Sequence, residues 1–394
     1  MSTADHGFQT DKILTISAGH FVHDIFSGFL PVFLPLLIEK FELSMFLAGT
    51  FTVFFRLPSL FNPLLGILSD RVDLRYAAIC APGFTAVLMS ILGIAPSYAL
   101  VCVFLVAAGF SAAVFHVLGP VMIARASDSG FGRGMSFWMT SGELARTVGP
   151  LFAVWAISQL TFEGCYPVMA LGIFASLFLF MILRKSRLAL GRPQEGGLRA
   201  AWASLRGVMI PLTGVVISRS FMVASLAAFL PTYMVSSGKS LWIGGTAMAV
   251  MECAGTVGSF TGGTLSDRIG RRTILMSAIP ASSLLMLGML YGGNEFVFPA
   301  LILLGFTLFS VSPVNMAIVQ EHAAHCRGTA NGLYMGINFL TTAAVTVLVG
   351  QLADMTNLKT AFTACAVLGL AGIPAIFFLP EPRKKGTTAL EKQA

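Results

Sequence analysis

The sequence is short of charge. Only 11% of its 394 residues are Asp, Glu, Lys or Arg, against about 25% in an ordinary globular chain, so water is not its main solvent. It lacks the two-residue alternation of a β-barrel. It also lacks a Walker loop, an HExxH and a GxSxG pattern, which removes the direct signs of ATP-driven pumping and hydrolase chemistry and leaves no reason to expect an enzyme or a cofactor. Cysteine is sparse: Cys80, Cys102, Cys165, Cys253, Cys326 and Cys365 show no CxxC and no paired spacing, so they read as packing residues. Glu321, His322, His325 and Cys326 are too loosely spaced to read as a metal site. The opening MSTADHGFQTDK has no basic n-region, so no cleaved signal peptide is expected.

What is abundant is apolar sequence, 56% of the chain, and it comes in membrane-length blocks. A helix needs about 20 mostly apolar residues to cross a hydrocarbon core. Twelve such blocks are read, at 13–38, 45–68, 76–95, 98–122, 134–158 and 165–183, then 207–235, 242–264, 273–292, 296–320, 328–352 and 360–379. The expected fold class is an all-α membrane protein with twelve transmembrane helices.

The net charge of +7 would raise the question of nucleic acid in a soluble chain. Here its placement argues for a lipid bilayer instead. Threading twelve spans puts Lys12, Arg71, Arg75, Arg125, Arg133, Arg184, Arg206, Arg268, Arg271, Arg272 and Arg327 on one face, and only Lys40, Lys239 and Lys359 on the other. Short basic loops are retained in the cytoplasm during insertion. Both termini are therefore expected there, in the inner membrane.

The chain repeats itself. Residues 184–206 form a polar connection rich in Arg, with Gly and Pro, between expected bundles at 1–183 and 207–394. Gly66 to Arg71 (GILSDR) recurs as Gly263 to Arg268 (GTLSDR), 197 positions on; Phe33-Leu34-Pro35 recurs as Phe229-Leu230-Pro231, 196 on; and Arg133-Gly134 recurs as Arg327-Gly328, 194 on. Matches at nearly one offset indicate a duplicated six-helix unit, an architecture secondary transporters use with the site at the repeat interface.

These features resemble the major facilitator superfamily. Gly263, Asp267, Arg268, Gly270, Arg271 and Arg272 match its loop motif fully, whereas the first copy keeps Gly66, Asp70 and Arg71 but has Asp73 and Leu74 in place of the later Gly and Arg. Within it, His20-x3-Asp24, Phe29-Leu30-Pro31, Leu34-Pro35, Phe115-His116 and Gly142-x6-Gly149-Pro150 look most like the fosmidomycin-resistance group of efflux proteins. The resemblance implies two pseudo-symmetric bundles, efflux by antiport, and gating by Gly66, Asp70, Arg71, Gly263, Asp267, Arg268 and Arg271. Ordinary helix packing explains Gly142, Gly149 and Pro150 as well.

A charge at the bilayer centre costs about 2.5 to 3.5 kcal/mol on insertion scales, so each one kept there is expected to face a polar cavity or a partner. Six sit at that depth: Asp24, Arg56, Glu143, Arg146, Arg219 and Glu252. His20 and Asp24 are four residues apart, on one helix face, and suit proton exchange, with Glu143 and Glu252 as competing carriers; a purely structural pair is the alternative. Arg56 and Arg219 suit an anionic substrate, or else neutralise nearby acids as Glu143 and Arg146 do at i, i+3. His23, His116, Asn315, Gln320 and Asn338 add neutral polarity. The expected substrate contacts are Arg56, His116, Arg146, Arg219, Asn315 and Asn338.

The resulting expectation is a monomeric, proton-coupled exporter of a small organic compound. Proton-coupled uptake of an organic anion is the alternative, and a non-transporting receptor a third reading.

Overall fold

The computed structural model describes residues 8–69, 71–127, 130–184, 198–323 and 327–380. Twelve helical rods fill them. In the first bundle these are α1 (Thr10–Phe41), α2 (Met45–Ser69), α3 (Arg75–Ile94), α4 (Tyr98–Ser127), α5 (Phe131–Leu160) and α6 (Glu163–Leu183). In the second they are α7 (Leu198–Ser236), α8 (Leu241–Ile269), α9 (Arg271–Tyr291), α10 (Asn294–His322), α11 (Arg327–Met355) and α12 (Leu358–Phe377). Ten are long and apolar enough to cross a membrane; α5 and α8 fall short of that test. Those two carry Glu143, Arg146 and Glu252 and pack against each other, so their polarity belongs to the bundle interface. Of the linker expected at 184–206, residues 185–197 lie outside the described residues, and the part from Leu198 runs straight into α7.

The duplication is visible in the packing. Gly109 on α4 lets the backbone carbonyl of Phe55 on α2 approach where a Cβ would stand, and Gly305 on α10 does the same for the carbonyl of Met251 on α8. Both members of the second pair lie 196 positions after the first. Further along, the offset becomes 197. The change falls where α2 tightens into a 3-10 turn over Leu57–Phe61, which rises about 2.0 Å per residue against 1.5 Å for an α-helix. The first bundle thus covers the same distance with one residue fewer.

Apolar packing shows which side is closed. On the face of Lys40, Lys239 and Lys359, one continuous core joins both bundles through Phe29, Phe33 and Phe51 with Phe229, Met251 and Val349. Toward the basic face the core divides. Ile13, Ile79, Phe115 and Leu183 form one cluster in the first bundle, and Leu205, Leu275, Val319 and Leu379 another in the second. The bundles therefore meet at one end and part at the other, leaving a cleft toward the basic face.

Two close crossings hold the closed end. On α2 and α11, Gly49 lies against the carbonyl of Thr346 and Gly350 against the backbone of Met45 and Phe46. There the first N–H groups of α2, unpaired within the helix, meet a carboxylate of the other bundle. Met45 N–H donates to Asp354 Oδ1 at 2.6 Å and Phe46 N–H to Oδ2 at 2.8 Å. On α5 and α8, Gly245 packs against Pro150 and Val154.

A side-chain cap is worth about 0.5 to 2 kcal/mol, and 1 kcal/mol changes a two-state ratio roughly fivefold. Asp354→Ala is expected to open this end. In a background with the native cysteines replaced by alanine, a cysteine at Val349, buried in the shared core, should react with maleimide about fivefold faster; an unchanged rate would remove Asp354 from the closure.

Candidate functional site

The first polar cluster forms where α1 passes α3, α4 and α5. Gly142 leaves the space that the His20 ring occupies, and Gly149 lets the α1 backbone approach at Ile25. The Gly142-x6-Gly149 motif is thus the seat of helix α1. Trp138 stacks on His20 with ring centroids 3.6 Å apart and 5° between planes, while Gly119 makes room for the indole.

Four ionisable side chains meet there. Asp24 lies 3.2 Å from His20 Nε2, 2.8 Å from His23 Nδ1 and 3.4 Å from His116 Nε2, and the two Nε2 atoms are 3.4 Å apart. His23 is fully buried, Asp24 has 12% of its side chain exposed, and His116 has 43% exposed. His116 is therefore the opening of the cluster toward the cleft.

The hydrogen-bond partners fix where protons sit. His20 Nδ1 faces the Trp138 carbonyl at 2.9 Å and Ser141 Oγ at 3.1 Å, and Ser141 donates its own hydrogen to the same carbonyl. His116 Nδ1 faces the Ala112 carbonyl at 2.9 Å. A carbonyl only accepts, so both rings carry N–H at Nδ1 and turn Nε2 toward Asp24. His23 is constrained from its far side. Ser111 donates to the Ala81 carbonyl, Thr85 donates to Ser111, and so Thr85 Oγ1 is left to accept from His23 Nε2 at 3.2 Å. The 2.8 Å contact of His23 Nδ1 with Asp24 then needs a further proton, shared between imidazole and carboxyl.

The second cluster bridges the bundles. Arg146 Nη2 contacts Glu252 Oε2 of α8 at 2.5 Å, and Nη1 lies 3.4 Å from Glu143 on its own helix. Thr256 of α8 donates to Glu143 Oε2 at 3.2 Å. Glu143 and Arg146 do pair as the i, i+3 spacing suggested, and the interface adds the partners that sequence could not assign.

Arg56 stands apart. It lines a pocket between the bundles with Ser27, Thr52, Thr342 and Thr346, within electrostatic range of Arg146 and Glu252. Among the described residues no carboxylate forms an ion pair with it. Asn338, half-buried, is one turn before Thr342 on the same face of α11. Arg219 is different: it is buried inside the second bundle, donating to the Leu308 carbonyl at 2.8 and 3.0 Å and to Ser312 at 2.8 Å. Asn315 is fully buried near it, with neither amide atom hydrogen-bonded. Arg219, Leu308 and Ser312 lie 196 positions after His23, Ala112 and His116. At equivalent places, one bundle carries imidazoles and the other a permanent cation.

In the loop motif, Arg271 contacts Asp267 at 2.5 Å and Glu321 at 2.8 Å, and bonds Ser266 as well. Arg272 donates to the carbonyls of Phe377 and Leu379. These bonds tie α8, α9, α10 and α12 together on the basic face, within the second bundle. Gly262, not Gly263, makes the close helix contact there, against Ser310. Gly66 and Arg71 lie at the matching place, Arg268 is exposed, and Asp70, His325 and Cys326 are outside the described residues. Gln320 is half-buried near the basic end of α10. His23, Trp138, Thr85, Thr256 and Asp354 were not among the expected site residues. Sequence spacing gives no reason to pair His23 with Asp24, because neighbours in a helix do not face each other, yet its ring turns back to Asp24.

Comparison with known proteins agrees with this architecture. The family model described as Major Facilitator Superfamily matches residues 16–346. The fosmidomycin resistance protein of Escherichia coli (strain K12) is 24% identical over 377 residues, covering 94% of this chain and 93% of that protein. The uncharacterized MFS-type transporter YfnC of Bacillus subtilis (strain 168) is 26% identical over 390 residues, with the same two coverages. Among solved structures, the nucleoside transporter NupG (D323A mutant) superposes with a TM-score of 0.79 at 13% identity, covering 93% of this chain and 99% of that one. A bacterial homolog of the human lysosomal transporter Spinster, inward-facing and unoccupied, gives 0.71 at 15% identity, covering 96% and 95%. With the family match spanning most of the twelve rods and the duplicated packing in place, the chain belongs to the major facilitator superfamily.

Proposed function

We propose that this chain is a proton-coupled antiporter that exports a small organic compound by alternating access. In this reading the basic face is cytoplasmic, the membrane is the inner membrane, and the structure is open to the cytoplasm. The observation that carries it is the Asp24 cluster: a carboxyl group bracketed by His20, His23 and His116, buried except where His116 meets the cleft. Such a site takes up and releases protons without exposing a bare charge to lipid. Glu143 and Glu252 are the weaker carriers, because Arg146 already engages both. The likeness to a fosmidomycin resistance protein supports export and makes fosmidomycin the first compound to assay. The cleft is formed within one chain, which supports a monomeric unit.

The unpaired guanidinium of Arg56 favours a second reading of the cargo, an organic anion whose carboxylate or phosphate the planar fork would hold. If the anion travels with protons rather than against them, the same site serves uptake.

Proteoliposomes carrying an imposed pH gradient separate these readings. Export-coupled proton entry is expected, and Asp24→Asn should abolish gradient-driven flux while leaving downhill exchange; gradient-driven flux at the normal rate in that variant would sink the assignment. Arg56→Gln should raise the KM of anionic compounds about tenfold or more, since hydrogen bonds to a charged group are worth about 1.5 to 3 kcal/mol. An equal effect on neutral compounds would mark Arg56 as structural.

A further inference from the structure

The Asp24 cluster offers acceptor atoms for two protons on opposite sides of the carboxyl. The proton between His23 and Asp24 is demanded by the chain of donors that ends at the Ala81 carbonyl. It lies on the fully buried side, away from the cleft. On the other side, Nε2 of His20 and Nε2 of His116 face each other at 3.4 Å and face the two Asp24 oxygens at 3.2 and 3.4 Å. Their Nδ1 hydrogens are committed to the carbonyls of Trp138 and Ala112. With neutral rings, two nitrogen lone pairs and a carboxylate converge, an arrangement that repels itself in a low dielectric.

We propose that the N-terminal bundle holds two protons of different standing. A resident proton stays between His23 and Asp24, and the exchanging proton of the transport cycle is held on the cleft side by the Nε2 atoms of His20 and His116. This rests on the proton-coupled reading above and names the carrier within it. Adding the proton converts one ring to imidazolium, which donates from Nε2 to Asp24 or to the other ring; removing it hands the proton to water at His116, the only one of the three rings with substantial exposure.

The groups facing the pair are accounted for from every neighbouring helix. Helix α1 supplies His23 and Asp24; α3 and α4 supply the hydroxyls of Thr85 and Ser111; α5 supplies Trp138 and Ser141, with Arg146 on the same helix within electrostatic range of Asp24 and paired to Glu143. Helix α6 packs on α1 through apolar Leu179 at Gly19. No second carboxylate among the described residues contacts either ring.

The chain has six histidines, few enough for imidazole 15N NMR on selectively labelled protein in lipid nanodiscs with EDTA present. At high pH, His20 and His116 should both show the Nδ1–H tautomer while His23 remains doubly protonated or proton-sharing. Lowering the pH should move the Nε2 signals of His20 and His116 together, and His116→Gln should remove the coupled shift at His20. Should that variant fail to fold, His116→Asn serves for the coupling, and the tautomers are read on the wild-type chain alone. An Nε2–H tautomer at either ring, a His23 that titrates while the pair does not, or signals that change when EDTA is withheld and metal enters would each overturn the proposal. Loss of the expected tautomers with Asp24→Asn still uncoupled would sink this inference alone. The expected tautomers with coupling intact in Asp24→Asn would sink the assignment of Asp24 under the proposed function and leave the histidine pair standing.

Discussion

Everything in this structure turns on one constraint: an ionised carboxyl at mid-membrane depth needs positive charge within bonding distance, because the surrounding hydrocarbon supplies none. Asp24 meets it with imidazoles rather than with arginine. The consequences spread outward through the first bundle. Gly142 and Gly119 give up side chains so that His20 and Trp138 can stack, Gly149 lets helix α1 come close, and backbone carbonyls of α4 and α5 hold the rings in one tautomer. The second bundle meets the mirror-image constraint at the equivalent place with Arg219, whose charge is spread over the Leu308 carbonyl and Ser312. One half of the duplicated unit can change its charge there, and the other cannot.

The interface uses charge in a different way. Breaking a buried pair by stranding one partner costs about 3 to 5 kcal/mol, which would stall a bundle that had to rock away from its neighbour. In the proposed cycle Arg146 would not be stranded, because Glu143 lies on the same helix and would stay with it when Glu252 moved away with α8. Glu252 in turn lies within electrostatic range of Arg56, so a second cation is near when the first is withdrawn. Among the described residues no other side chain accepts from the N–H groups of Met45 and Phe46, and Asp354 sits at the end of the molecule where the two cores are one. In this account, opening that end is the step with the clearest local cost.

The twelve helices, the duplication and the one-sided positive charge were legible in the sequence, since membrane-length apolar blocks and short-loop arginines follow directly from what a bilayer tolerates. So was the meeting of His20 and Asp24, which helix periodicity dictates. What periodicity cannot supply is contact between helices. Nothing in the spacing of Arg146 and Glu252 joins them, and nothing told that Arg219 would turn inward to a carbonyl while Arg56 turned to the cleft. Local rules also fall short at His23, which adjoins Asp24 in sequence: adjacent helix positions point apart, yet its side-chain torsions bring its ring back to the carboxyl. Asp354, at a helix end and exposed, carried no signal of its own, because its role exists only where α2 begins on the other bundle.

The central claim is that protons and cargo compete for a machine whose protonation site is Asp24 and its histidines. The most direct test is to mix the purified protein, in weak buffer with a pH-sensitive dye, with a compound to which its expression confers resistance. The account predicts release of protons on binding, lost in Asp24→Asn. No change in bound protons, or their uptake, would contradict it.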